Sequence, residues 1–174
     1  MARAGHLISR FFGSLWPGGP NPEQTEWAES QLLAGEVDLW RRMSGPDRRH
    51  AAGVARRVQR SLGDEATRPV LAAALLHDVG KTEAGVGTYG RVIATVSGAA
   101  IGRDQGTITD WTRTRGFTRK VGLYLQHPKL GGDLLAMAGS DPLTEAWARQ
   151  HHLPEDDWTI PVDVGQALKA ADDD

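Results

Sequence analysis

Two adjacent side chains, His77 and Asp78, close an uninterrupted apolar run, and the chain's chemistry is centred there. The run opens at Pro69 and continues from Val70 through Leu76. It has no polar face, so a helix over it must be buried on all sides. Its end therefore carries an imidazole and a carboxylate into the interior, followed by Gly80, expected to stop the helix, and Lys81. A buried carboxylate beside a histidine is costly unless its charge is compensated. A bound cation compensates it directly, because both side chains are ready-made metal ligands.

Five of the six histidines fall within the expected core, His6 being the exception. His50 sits one turn before Val54 on the buried stripe of a helix, His127 precedes another helix, and the pair His151-His152 ends a third. A single histidine on an apolar face is most often an ordinary core residue. Several at helix ends are a different matter, since helical bundles build metal sites from ligands on facing helices. There is no HExxH pair and no Gly-x-Ser-x-Gly elbow, so neither the zinc-protease arrangement nor a hydrolase nucleophile is indicated. Gly85-Val86-Gly87 does not follow a strand and is not a dinucleotide fingerprint.

The elements that must position these groups read as helices throughout. Pro22–Leu33 begins near Asn21, a shorter helix covers Glu36–Met43, and Pro46 opens one to about Leu62. The far face of that helix carries Arg48, Arg49, Arg56, Arg57 and Arg60, read as a solvated face, with phosphate attraction as the minority reading. Residues 83–90 read as a loop, 91–102 as a helix, and 103–116 as a polar stretch with Trp111 its only large anchor. Further helices are expected over 117–126, from Pro128 to about Ala138, after Asp141-Pro142, and from Pro161 to the end. No strand pattern appears, so the class is all-α. Residues 1–20 form an N-terminal amphipathic segment and a Pro/Gly linker, and residues 21–174 form one domain. Leu7, Ile8, Phe11, Phe12, Leu15 and Trp16 make an apolar stripe suited to packing, with peripheral membrane contact through residues 7–16 as the sharper alternative.

Composition narrows the function classes. The chain has 174 residues, 40% apolar and 24% charged, as expected of a folded globular protein. The absence of cysteine excludes disulfides, thiolate metal sites and a cysteine nucleophile, and fits a reducing, cytoplasmic setting. A net charge of −2 gives no case for general nucleic-acid binding. No apolar run approaches the ~20 residues of a membrane span, and no signal peptide is evident.

These motifs resemble the HD superfamily of metal-dependent phosphohydrolases. The resemblance spans roughly Leu32 to Asp174 and rests on His50, on His77-Asp78 within "LLHDVGK", and on an aspartate in "ALKAAD". It implies an HD-domain helical bundle with metal ligands His50, His77, Asp78 and Asp172. Asp163 competes for the last place, but Asp172 shares a face with Leu168 and Val164, whereas Asp163 suits the helix dipole. "YLQHPKLGGDLL" and "RQHHLPED" are similar to the two-metal branch that includes the HD-GYP phosphodiesterases, where His127, His151 and His152 would complete a second site. The Gly-Tyr-Pro signature is absent, and Leu153-Pro154-Glu155 stands in its place. The resemblance implies one or two divalent cations (Mn, Fe, Zn, Ni or Co) and a nucleotide or other phosphorylated small molecule as substrate. Asp78, with two oxygens, suits a bridge between metals, Lys81 suits a phosphate oxygen or the leaving group, and His127, His151 and His152 suit either the second metal or substrate phosphates. The alternatives are a non-catalytic module of the same family that binds a nucleotide or protein around a structural metal, and a helical scaffold whose histidines are core residues.

Overall fold

A computed structural model of the protein describes residues 18–102 and 104–174. Among these residues there are ten α-helices and no strand, as the all-α reading expects. They are α1 (Pro22–Ser30), α2 (Ala34–Arg42), α3 (Gly45–Leu62), α4 (Arg68–Leu76), α5 (Thr88–Ala100), α6 (Gln105–Arg113), α7 (Gly116–Leu125), α8 (His127–Met137), α9 (Pro142–Gln150) and α10 (Val162–Asp173). Short 3₁₀ turns cover Gly63–Glu65, Val79–Glu83 and Glu155–Asp157. No described helix is long and apolar enough to cross a membrane. The amphipathic segment 7–16 and His6 lie outside the described residues.

Helix starts follow local chemistry. Asn21 accepts from the Gln24 backbone N–H at 2.8 Å while the Gln24 side chain accepts from the Asn21 N–H at 3.1 Å, a reciprocal cap with Pro22 just inside. Asp141 caps α9 by accepting from Leu143 N–H at 2.9 Å. Glu36, fully buried, turns back to accept from the Leu33 N–H at 2.7 Å and so anchors the start of α2.

The core is built around α4, whose residues Val70 to Leu76 are all buried. Helices α2, α3 and α9 pack on it, α10 packs on α3, and α8 packs on both α9 and the Val79–Glu83 turn. Trp40, Val54, Val58, Leu135, Trp147 and Leu168 fill the spaces between them. Burying each large apolar side chain contributes about 1.5–3 kcal/mol, which favours this packing over any register exposing α4. Helix α7 packs on both α5 and α6 and meets the Val79–Glu83 turn and α8.

Three expectations are corrected. The helix expected over Pro22–Leu33 ends at Ser30, and the next begins at Ala34, not Glu36, because Glu36 caps the Leu33 N–H from inside the first turn. The polar stretch 103–116 contains α6. It is capped by Asp104, which accepts from Thr107 N–H at 2.7 Å, and is held by the buried side chain of Ile108. The arginine face of α3 is not simply solvated. Arg56 stacks 3.5 Å over the Trp27 ring, Arg57 donates to the Ala171 carbonyl at 2.9 Å, and Arg49 donates to the Gly18 carbonyl.

Candidate metal centre

The ligand candidates come from four helix ends and one helix interior. His50 stands in the second turn of α3, and Asp172 in the last turn of α10. His77 caps the C-terminus of α4 with Asp78 next to it, His127 begins α8, and His151 caps the C-terminus of α9 with His152 following. Helix α4 is over at Leu76, before Gly80 is reached, so Gly80 is not its stop signal. His77, Asp78, His127, His151 and Asp172 are buried, His50 is half-buried, and His152 lies at the exposed edge. Imidazole follows imidazole through the site: His50–His77 centroids are 5.8 Å apart, His77–His151 5.3 Å, His127–His151 5.6 Å and His127–His152 5.2 Å.

The side chains form two groups. His50, His77 and Asp172 converge in one, and His127, His151 and His152 in the other, the ligand atoms of each lying within 4.8 Å of one another. Asp78 lies between them. Its Oδ2 is 3.4 Å from His77 Nε2, and its Oδ1 is 3.3 Å from His127 Nε2 and 3.7 Å from His151 Nε2. Asp163, by contrast, is an exposed residue in the first turn of α10.

Three of the imidazoles are oriented in the same way. The Nδ1 atoms of His77, His127 and His151 face the carbonyls of Ala74, Tyr124 and Ala148 at 2.9, 2.7 and 3.0 Å. Each carbonyl belongs to the residue three positions earlier, which a helix-terminal histidine can reach without leaving its own turn. A carbonyl only accepts, so each Nδ1 carries a proton and each ring turns Nε2 inward, where it offers a lone pair to a cation whenever it holds no second proton. This is how metal-binding histidines are held. Sequence reading missed these carbonyl partners, although the three-residue offset was available once the helix ends were placed.

The inward atoms lack adequate partners among the protein's own groups. His77 Nε2 and His151 Nε2 are buried without a well-formed hydrogen bond, facing carboxylate oxygens only at 3.4–3.7 Å. His127 Nε2 and His152 Nε2 face each other at 3.3 Å. Metal–ligand bonds of about 2.0–2.1 Å meeting at about 90–120° hold neighbouring ligand atoms about 2.8–3.6 Å apart. The separations here fall in or next to that range: His50–Asp172 2.9 Å, His77–Asp172 3.6 Å, His127–His152 3.3 Å, and Asp78 to its three histidines 3.3–3.7 Å. These buried groups fit a metal ion in donor type and in spacing.

The electrostatics point the same way. Burial opposes ionisation of Asp78, but the ammonium of Lys81 and the ring of His77 outweigh it and hold the carboxyl well below its usual range. Burial also opposes a charged His77, yet the carboxylates of Asp78 and Asp172 push it up to about 9. Without a cation, a proton thus stands where the cation's charge would be. His127 is lowered, chiefly by burial, with Lys81 and His151 also repelling its proton. Desolvation and the charges of His151 and His127 lower His152 as well. Lys81 pairs with Asp78 Oδ2 and lies 5.9 Å from the centre of the Tyr124 ring; burial would lower its pKa, but Asp78 raises it.

Compared with known proteins, the chain matches no family model, no curated protein and no solved structure.

Proposed function

We propose that the protein is a metal-dependent phosphohydrolase or phosphodiesterase of the HD superfamily, holding two divalent cations and acting on a nucleotide or another phosphate ester. The observation that carries the reading is the position of Asp78, whose two oxygens face two separate groups of three ligands. A carboxylate so placed can bridge two cations, the arrangement that clamps the attacking and leaving oxygens of a phosphate ester. Bound there, such ions would lower the pKa of a coordinated water and offset the charge developing on the phosphate. Donors limited to nitrogen and oxygen suit Mn, Fe, Co, Ni or Zn.

The chain's own residues do the rest. His77 and His151 form the buried floor, while half-buried His50 and edge residue His152 leave the approach from solvent. Lys81 supplies a positive charge within reach of Asp78, and its side chain retains 17% exposure. It would hold a phosphate oxygen as the ester enters, leaving Asp78 Oδ2 to the cation. The carbonyls of Ala74, Tyr124 and Ala148 fix the imidazoles before substrate arrives, so little reorganisation accompanies binding.

The test is hydrolysis of bis-p-nitrophenyl phosphate by protein stripped with chelator and reloaded with Mn. Turnover that appears with Mn, disappears with chelator and is absent from Asp78→Ala supports the assignment. Protein carrying two Mn that hydrolyses neither this diester nor p-nitrophenyl phosphate would refute it.

A further inference from the structure

We infer that Gly80 is a positioning residue that sets the distance between Asp78 and His127, and thereby the affinity of the second metal group without that of the first. The inference rests on the two-metal reading above. Its basis is a backbone contact. The Val79–Glu83 turn crosses the first turn of α8 so closely that a Cβ on Gly80 would stand 2.0 Å from the His127 carbonyl oxygen. It would also lie 2.6 Å from Gly131 N and 2.9 Å from His127 C. Gly80 is not among the residues with positive φ, so space rather than backbone conformation demands glycine here. All three obstructing atoms are main chain, and no side-chain rotation relieves them. The turn and α8 would have to move apart, by about 1.4 Å or more to reach ordinary van der Waals distance.

That movement falls directly on the site. Asp78 lies two residues before Gly80, and His127 is the residue whose carbonyl is struck. Of the second group, His127 is the ligand carried by α8, and its contact with Asp78, Oδ1 to Nε2 at 3.3 Å, crosses this seam; His151 and His152 end α9, which packs on α4 as well as on α8. The other group lies on the far side of it. His50 is on α3, His77 ends α4 and Asp172 is on α10, and α3 packs directly on both α4 and α10. Separating α8 from the turn therefore draws His127 away from Asp78 and from His151 and His152 on α9, while the His50–His77–Asp172 group keeps its spacing. Gly131 supports the same contact from α8. Its Cβ would lie 3.2 Å from Gly80 N and 3.5 Å from Val79 Cγ1, a displacement of only tenths of an ångström.

Gly35 provides the control. Its Cβ would meet the Ala138 carbonyl oxygen at 2.8 Å, again a main-chain conflict, but at the opposite end of α8 from the ligands. The experiment measures Mn binding to the full chain by equilibrium dialysis with elemental analysis, and Mn–Mn coupling by electron paramagnetic resonance. The wild type should take up two coupled Mn. Gly80→Ala should keep its helical circular dichroism and the first Mn, lose the second at the same free Mn, and show an isolated-Mn spectrum. Gly131→Ala should weaken only the second Mn, by about 10–100-fold, the scale seen when groups supporting a ligand are disturbed. Gly35→Ala should lose stability yet bind two coupled Mn as the wild type does. If Gly80→Ala does not fold, Gly131→Ala decides: an unchanged second affinity overturns the inference. So does a Gly80→Ala protein with two coupled Mn at wild-type affinity, or a Gly35→Ala protein that loses the second Mn equally. A wild type that binds fewer than two Mn overturns the two-metal reading itself, an outcome seen before any variant is made.

Discussion

Asp78→Asn replaces the bridging carboxylate by an isosteric amide, and its effect on the metal-free protein follows from what surrounds it. The wild-type carboxylate is buried, with its side chain 9% exposed, and pairs with the Lys81 ammonium on Oδ2 while facing His77 at 3.4 Å. Removing one partner of a buried pair costs about 3–5 kcal/mol, because the other charge is left uncompensated. Two features place this case near the lower end. The Lys81 side chain is 17% exposed and can swing its head toward water. His77, held high by Asp78 and Asp172, can release its proton once Asp78 is neutral. The expected loss is therefore about 3 kcal/mol, read as a lower denaturant midpoint at unchanged slope in chelator-treated protein. In Mn-loaded samples the same variant should fall from two ions to at most one, because the amide cannot bridge as a carboxylate does. An Asp78→Asn protein within about 1 kcal/mol of wild type in the absence of metal, a difference typical of unexceptional substitutions, would refute the buried-pair reasoning. Two retained Mn would refute the bridging role.

Three further outcomes are expected. His127→Ala should reduce Mn from two ions to one, keep the helical spectrum and abolish most turnover, and elemental analysis alongside the diester assay checks it. Asp172→Asn should remove metal from the His50–His77 group, whereas Asp163→Asn should cost only the ~0.3–1 kcal/mol of a helix-terminal charge; parallel metal analysis and denaturation distinguish the two. The metal-free protein should also lose stability as pH rises from 6.5 through about 9. The folded state raises the pKa of His77 to about 9, so its contribution is complete below 6.5 and gone above about 9. A cation replacing that proton should flatten the profile over the same interval, as denaturation curves with and without Mn will show.

Sequence by itself determined what is local. The run Val70–Leu76 had to be buried because it has no polar face, and the doublet His77-Asp78 had to follow it inside. Pro22, Asn21, Asp141 and Pro142 mark helix starts through capping and ring geometry, which act over a few residues. Helix α6 escaped that reading because its anchor is the single buried Ile108 and its cap, Asp104, sits in an otherwise polar stretch without periodicity. Tertiary structure decided everything that depends on distance between elements. His50 meets Asp172 across 122 residues of chain, a pairing no window of sequence contains. The division of Asp78's two oxygens between two ligand groups depends on where α8 and α9 end relative to α4. The role of Gly80 changed most. In sequence it looked like a helix terminator. In the folded chain, helix α4 has already ended, and Gly80 is where one backbone passes the His127 carbonyl too closely for any side chain. Caps and periodicity are written in neighbouring residues, whereas a close approach exists only once two segments have packed.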